Sequence, residues 1–195
     1  MGQLYISLFL FENNMPDNRN STVLISIVSP DQLGLIAAVT GVMFDIGVNL
    51  ADTSFAILGQ GCEFSCVAEL PDGVSQRAVQ SEIQGLPCMK EADILVMPFR
   101  FQAEKTQAAK ITHIIDVAGG DQPGLIARLS EVFNDYDANV VLMNSTKQEN
   151  KDTKGEGQYL TCFSVSIPEQ RAEGCLAAIY NTASQLQLSC VHRSL

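Results

Sequence analysis

The sequence predicts an α+β protein built from two copies of one βαββαβ unit, each an antiparallel sheet with both helices on one face. Three observations carry this. Asp31-Gln32-Leu33-Gly34-Leu35-Ile36-Ala37 returns ninety residues later as Asp121-Gln122-Pro123-Gly124-Leu125-Ile126-Ala127, and nine of the 20 positions in 31–50 match those in 121–140. Chance would give roughly one or two. Strand-like and helix-like apolar periods then follow in the same order in both copies. Finally, the charge is shared: the 195 residues carry 12 Lys plus Arg against 22 Asp plus Glu, net −10, with −6 on residues 21–100 and −4 on 111–195. Both halves are acidic globules, and a composition 46% apolar and 17% charged excludes disorder and collagen.

The first strand of copy one is the β-branched run Val23-Leu24-Ile25-Ser26-Ile27-Val28, repeated by Ile111 to Val117. A helix follows in each. Leu35, Val39, Val42 and Ile46 recur at spacings of four, three and four, as do Leu125, Leu129, Val132 and Tyr136, which predicts one apolar stripe per helix. The chain turns through Gly47 or Asp137 into second strands at Asn49 to Leu58 and Asn139 to Lys147. Their hairpin partners end at Pro71 and Pro168, 97 residues apart rather than 90. The seven extra residues of copy two belong in the polar stretch Gln148 to Gln158, a solvated loop. Second helices are marked by Val79, Ile83 and Leu86, and by Leu176, Ile179, Ala183 and Leu186. Ile94-Leu95-Val96-Met97 and Leu188-Ser189-Cys190-Val191 close the units as last strands.

That order is the ferredoxin-like split βαβ arrangement. Units this small bury little core alone, so the two are expected to pack together. The expected organisation is a leader at 1–20, a first domain at 21–100, a linker at 101–110 and a second domain at 111–195. The leader holds the apolar run Leu4 to Phe11, with no Lys or Arg before it and Glu12-Asn13-Asn14 where a cleavage site would need small residues. It is also too short to span a membrane, which needs about 20 apolar residues. An extra strand or a poorly ordered leader is expected there, with a targeting segment as the alternative.

Cys62, Cys66, Cys88, Cys162, Cys175 and Cys190 form no Cys-x-x-Cys and sit mostly in apolar runs, which predicts reduced structural thiols. On a strand, Cys62 and Cys66 would lie about 13 Å apart, too far to share a metal. His113 and His192 have no Cys or acid at metal spacing and are expected to be structural or solvent-facing. Gly59-Gln60-Gly61 lacks the Lys of a phosphate loop and reads as a hairpin turn.

A first strand ending in Asp-x-Pro-Gly-Leu-Ile, an apolar helix, then Asn at the head of the second strand resembles the ACT domain. Asp121 to Ile126 with Asn139 fits closely; Asp31 to Ile36 with Asn49 lacks the proline, which points to a degenerate site in the first copy and one ligand site rather than two. The resemblance covers nearly all of 21–195 and implies a small amino acid bound where two ACT units meet. It makes Asp31, Gly34, Leu35, Asn49, Asp121, Gly124, Leu125 and Asn139 the candidate ligand-binding residues. At Gly34 and Gly124 bare backbone and the free N–H groups of a helix start could receive a carboxylate. The Asn49 and Asn139 amides offer both donors and acceptors. Asp31 and Asp121 either take the ammonium or cap their helices, and glycine and asparagine also suit these turns without any ligand.

The resemblance therefore implies a regulatory binding protein that signals to a protein partner, in transcriptional or metabolic regulation, in the cytoplasm, with a homodimer left open. The alternative is a ligand-free structural module serving dimerisation. No enzyme motif, metal cluster or cofactor signature is present in the sequence. No membrane association is expected. Direct nucleic-acid binding is disfavoured by the charge, and Ser65 to Ala68 and Cys162 to Val165 supply at most one aromatic and no basic residue to strands that an RNA-binding sheet would need so equipped.

Overall fold

The computed structural model describes residues 21–101, 106–120, 123–148 and 158–195. It divides into two compact units. The first holds β1 (Ser21–Pro30), α1 (Leu35–Asp45), β2 (Asn49–Leu58), β3 (Gly61–Leu70), α2 (Gln76–Gln84) and β4 (Asp93–Pro98). The second repeats the order with β5 (His113–Gly120), α3 (Leu125–Asp135), β6 (Asn139–Gln148), β7 (Gln158–Ser166), α4 (Ala172–Gln185) and β8 (Ser189–Ser194). The sheets run β2-β3-β1-β4 and β6-β7-β5-β8, every pairing antiparallel. Each unit is thus ferredoxin-like.

Alternation along the central strands assigns the faces. Val23, Ile25 and Ile27 of β1 and Phe64, Cys66 and Ala68 of β3 are buried with Leu35, Val39 and Met43 of α1 and Val79 and Ile83 of α2. The second core repeats this, with Ile115, Val117, Phe163 and Val165 beneath Leu125, Leu129 and Phe133 of α3 and Cys175, Ile179 and Ala183 of α4. The apolar stripe is shifted from the expected one. Val42, Ile46, Val132 and Tyr136 are only partly buried, and Met43 and Phe133 take the deepest places. A helix lying along a sheet presents its i, i+4, i+8 row, and spacings of four, three and four drift off that row.

Both first helices end in a left-handed residue. Gly47 has φ 75° and Asp137, despite its side chain, φ 54°. In each case the next amide reaches back to close the helix, Val48 N–H to the Met43 carbonyl and Ala138 N–H to the Phe133 carbonyl, both at 2.9 Å. Asp137 is held further by Arg171, 3.0 Å away. The hairpin registers fix the inserted residues: Pro30 pairs with Gly61 and Gly120 with Gln158, offsets of 90 and 97. The length difference therefore lies between β6 and β7. The 1–20 leader, most of the loop at 148–158 and residues 102–105 of the linker lie outside the described residues.

Candidate functional site

The turn from β1 into α1 is built by Gly34. It is the N-cap residue at φ 82°, a conformation that costs an L side chain but not glycine, and no side chain caps the helix. Gly124 repeats this at φ 83°, again with no side-chain cap on α3. The expectation that Asp31 caps the helix fails because it lies three residues before the N-cap; its backbone N–H instead donates to the Gln60 carbonyl at 3.1 Å and its side chain is exposed. Asp121 lies outside the described residues. Leu35 and Leu125 are buried core residues that can offer only main chain to a ligand. Gln32, which the sequence reading passed over, braces the turn: its Nε2 donates to the Cys88 carbonyl at 2.8 Å, tying it to the short helical turn Pro87–Met89.

Asn49 and Asn139 lie at the other end of their units. Asn49 pairs in register with Glu69, which pairs with Thr22 at the start of β1, whereas the glycine turn follows Pro30. Eight residues of strand separate the two ends, about 26 Å. In the second unit Asn139 pairs with Ser166, next to Val165 opposite His113, equally far from Gly120. No unit brings its own glycine turn and asparagine together. Both asparagines are exposed and already engaged: Asn49 Nδ2 donates to Glu69 Oε2 at 3.3 Å and Asn139 Nδ2 to the Ala108 carbonyl at 2.7 Å. Each precedes a register shift, between Leu50 and Thr53 and between Val140 and Leu142, a place where a bulge re-aims side chains.

The histidines, unrelated in sequence, are neighbours in space. Pairing of β5 with β8 sets Ile115 opposite His192, which brings the His113 and His192 rings to 6.3 Å between centroids. Tyr180 Oη lies 2.8 Å from His192 Nδ1 and Thr112 Oγ1 2.9 Å from His113 Nδ1. Burial, and then the charge of His192, lower the pKa of His113. The ferredoxin-like strand order already implied this meeting, since it makes the first and last strands neighbours. Burial pushes the Cys66 and Cys175 thiols up to about 11, and burial with the carboxylate of Asp116 does the same for Cys162. All six cysteines are free. Among the described residues no group of three His, Cys, Asp or Glu is placed to hold a metal, and no helix is long and apolar enough to cross a membrane.

Solved structures share this architecture. An unknown protein from Galdieria sulphuraria aligns with 90% of this chain and 98% of its own at 14% identity and a TM-score of 0.69. A protein provisionally assigned as a glycine cleavage system transcriptional repressor aligns with 90% of this chain and 97% of its own at 12% identity and a TM-score of 0.59. An ACT domain protein from Streptococcus pneumoniae aligns with 40% of this chain and 89% of its own, at 19% identity and a TM-score of 0.36. No family model and no curated protein matches the sequence. The first two share the fold of this chain over nine-tenths of its length, two ferredoxin-like units in tandem.

Proposed function

We propose that the chain is a regulatory protein whose ACT-type units, 21–100 and 111–195 with 101–110 as linker, bind a small amino acid and signal its presence to a protein partner. One observation carries the reading: the same uncapped helix start behind a left-handed glycine is built twice, at Gly34 and Gly124. First-turn N–H groups with no side-chain cap favour a carboxylate, and the helix dipole adds to that preference. The ammonium and side chain would be met by the asparagine end. Since Gly34 and Asn49 stand about 26 Å apart within a unit, a ligand touching both kinds of group takes one from each of two units. Binding then stabilises one assembly over another in proportion to its difference in affinity, which is what a regulator requires.

An acidic chain of net −10 suits a protein partner better than nucleic acid, so an effect on transcription would be exerted through another protein. Thermal unfolding in the presence of each amino acid tests the reading. A ligand at 100 times its dissociation constant adds ~2.7 kcal/mol to the native state, and Asn139→Ala should abolish that ligand-induced rise. A flat response to every amino acid would discard the sensor and leave a dimerisation module. A rise that survives Asn139→Ala unchanged would discard the site.

A further inference from the structure

The two first helices share a core row and differ on the outside. Between Leu33 and Phe44 the sequence has no charged residue, whereas Arg128 and Glu131 occupy α3. Ile36, Thr40 and Phe44 form the outer stripe of α1, and Leu33 stands just before its N-cap. Leu33 is fully exposed, Ile36 43% and Phe44 81% exposed, and Thr40 lies between them with its hydroxyl donating to the Ile36 carbonyl at 2.8 Å. That bond satisfies the hydroxyl and leaves the stripe apolar. The matching positions of α3 are Pro123, Ile126, Ser130 and Asn134. A helix apolar on both its core and outer faces is one that something covers.

We propose that the cover is the apolar segment Leu4 to Phe11 of this same chain. Where the chain enters the unit supports this. Ser21 pairs with Leu70, and Pro71 Cγ lies 3.5 Å from where a Cβ on Gly47 would be, so β1 begins at the end of α1 that carries Phe44. Nine residues, Glu12 to Asn20, separate the apolar run from β1. They span up to about 30 Å when extended, and the 11 residues of α1 make a helix only about 16 Å long. Reach is ample.

The second unit supplies the control. The residues before β5 are the linker 101–110, and on the outer stripe of α3 Pro123 and Asn134 stand where the first unit has Leu33 and Phe44, with Ile126 and Ser130 matching Ile36 and Thr40. There the short turn Gln107–Ala109 packs against β6 and β7, with Asn139 bonded to Ala108, so residues upstream of a first strand do fold back onto their own unit. The unit preceded by the apolar leader is the one whose stripe carries Leu33 and Phe44. A second copy of the chain is a poorer cover, because three apolar side chains offer far less than the roughly 800 Å² per partner of a standard interface.

The chain has no Trp, so Phe9→Trp in the full chain is a single reporter of the leader. Docking predicts blue-shifted emission protected from acrylamide at every protein concentration. Adding Phe44→Glu should raise the quenching constant severalfold with an unchanged far-ultraviolet circular dichroism spectrum, since Phe44 is exposed and outside the core. Solvent-like emission in Phe9→Trp alone overturns the proposal, as does protection that persists with Phe44→Glu. Protection that appears only as the molecular mass doubles would make a second copy the cover, and protection that needs added lipid vesicles would make a membrane the target. Either result also overturns it.

Discussion

Replacing Gly34 by alanine isolates what its backbone conformation is worth. At φ 82° an L side chain is strained, and a left-handed residue costs about 1–2 kcal/mol. No atom lies within 4 Å of the new Cβ, so no clash adds to this. The substitution also restricts the unfolded chain, returning about 0.4–1 kcal/mol. The net loss is about 1 kcal/mol, which lowers the midpoint of a unit this size by roughly 4–8 °C. Gly41 is the internal control, seven residues on, inside α1, at no left-handed φ and again with open space at its Cβ. Gly41→Ala should stabilise by about 0.5–1 kcal/mol. Thermal and urea unfolding of the two variants must therefore move in opposite directions, with Gly34→Asn falling between Gly34→Ala and the parent because asparagine tolerates the left-handed region. If Gly34→Ala is as stable as the parent, or both alanines shift the same way, the assignment of strain to this turn is wrong.

Phe133→Ala should cost about 3–5 kcal/mol in urea unfolding, because Phe133 and Phe163 are both fully buried and meet edge to face at 5.3 Å. His113 has its pKa lowered first by burial and then by His192, so it takes up a proton less readily in the native state than in the unfolded one. The unfolded state binds the extra proton, so stability is complete above about pH 6.5 and falls as pH drops from there toward the lowered value. Melting curves between pH 8 and 5 should show that loss, and His192→Gln should reduce it without removing the part due to burial. Cys66 and Cys175, buried and with thiols near 11, should escape iodoacetamide at pH 8 in the native protein and react fully in guanidinium, as read by mass spectrometry.

Much of the fold was legible because its signals are local. The repeat set the number of units, the two proline-ended strands set the offset of 97, and alternation in Val23 to Val28 set the face of the sheet. What escaped depends on geometry between elements. Met43 and Phe133 outrank Val42 and Val132 because the sheet selects one helical row, which a list of apolar spacings does not specify. His113 and His192 meet only through the pairing of β5 with β8. The candidate site was legible as a list and not as a place. Capping was one of two roles open to Asp31 until Gly34 proved to be the cap residue, and the distance of each asparagine from its glycine turn came only with strand direction, which puts it at the far end of the sheet.

The two copies also separate what the fold demands from what it leaves free. Position for position, Val39 and Leu129 or Met43 and Phe133 differ in shape but stay buried and apolar, as a close-packed core requires. Gly41 against Glu131 and Phe44 against Asn134 lie off the core row, where the same fold accepts either class of side chain. A difference in polarity at such positions reports a difference in what the two outer faces meet. Phe44 is the sharpest instance, because Asn134 shows that folding this unit does not require an aromatic ring there, and exposing one costs solubility unless something covers it.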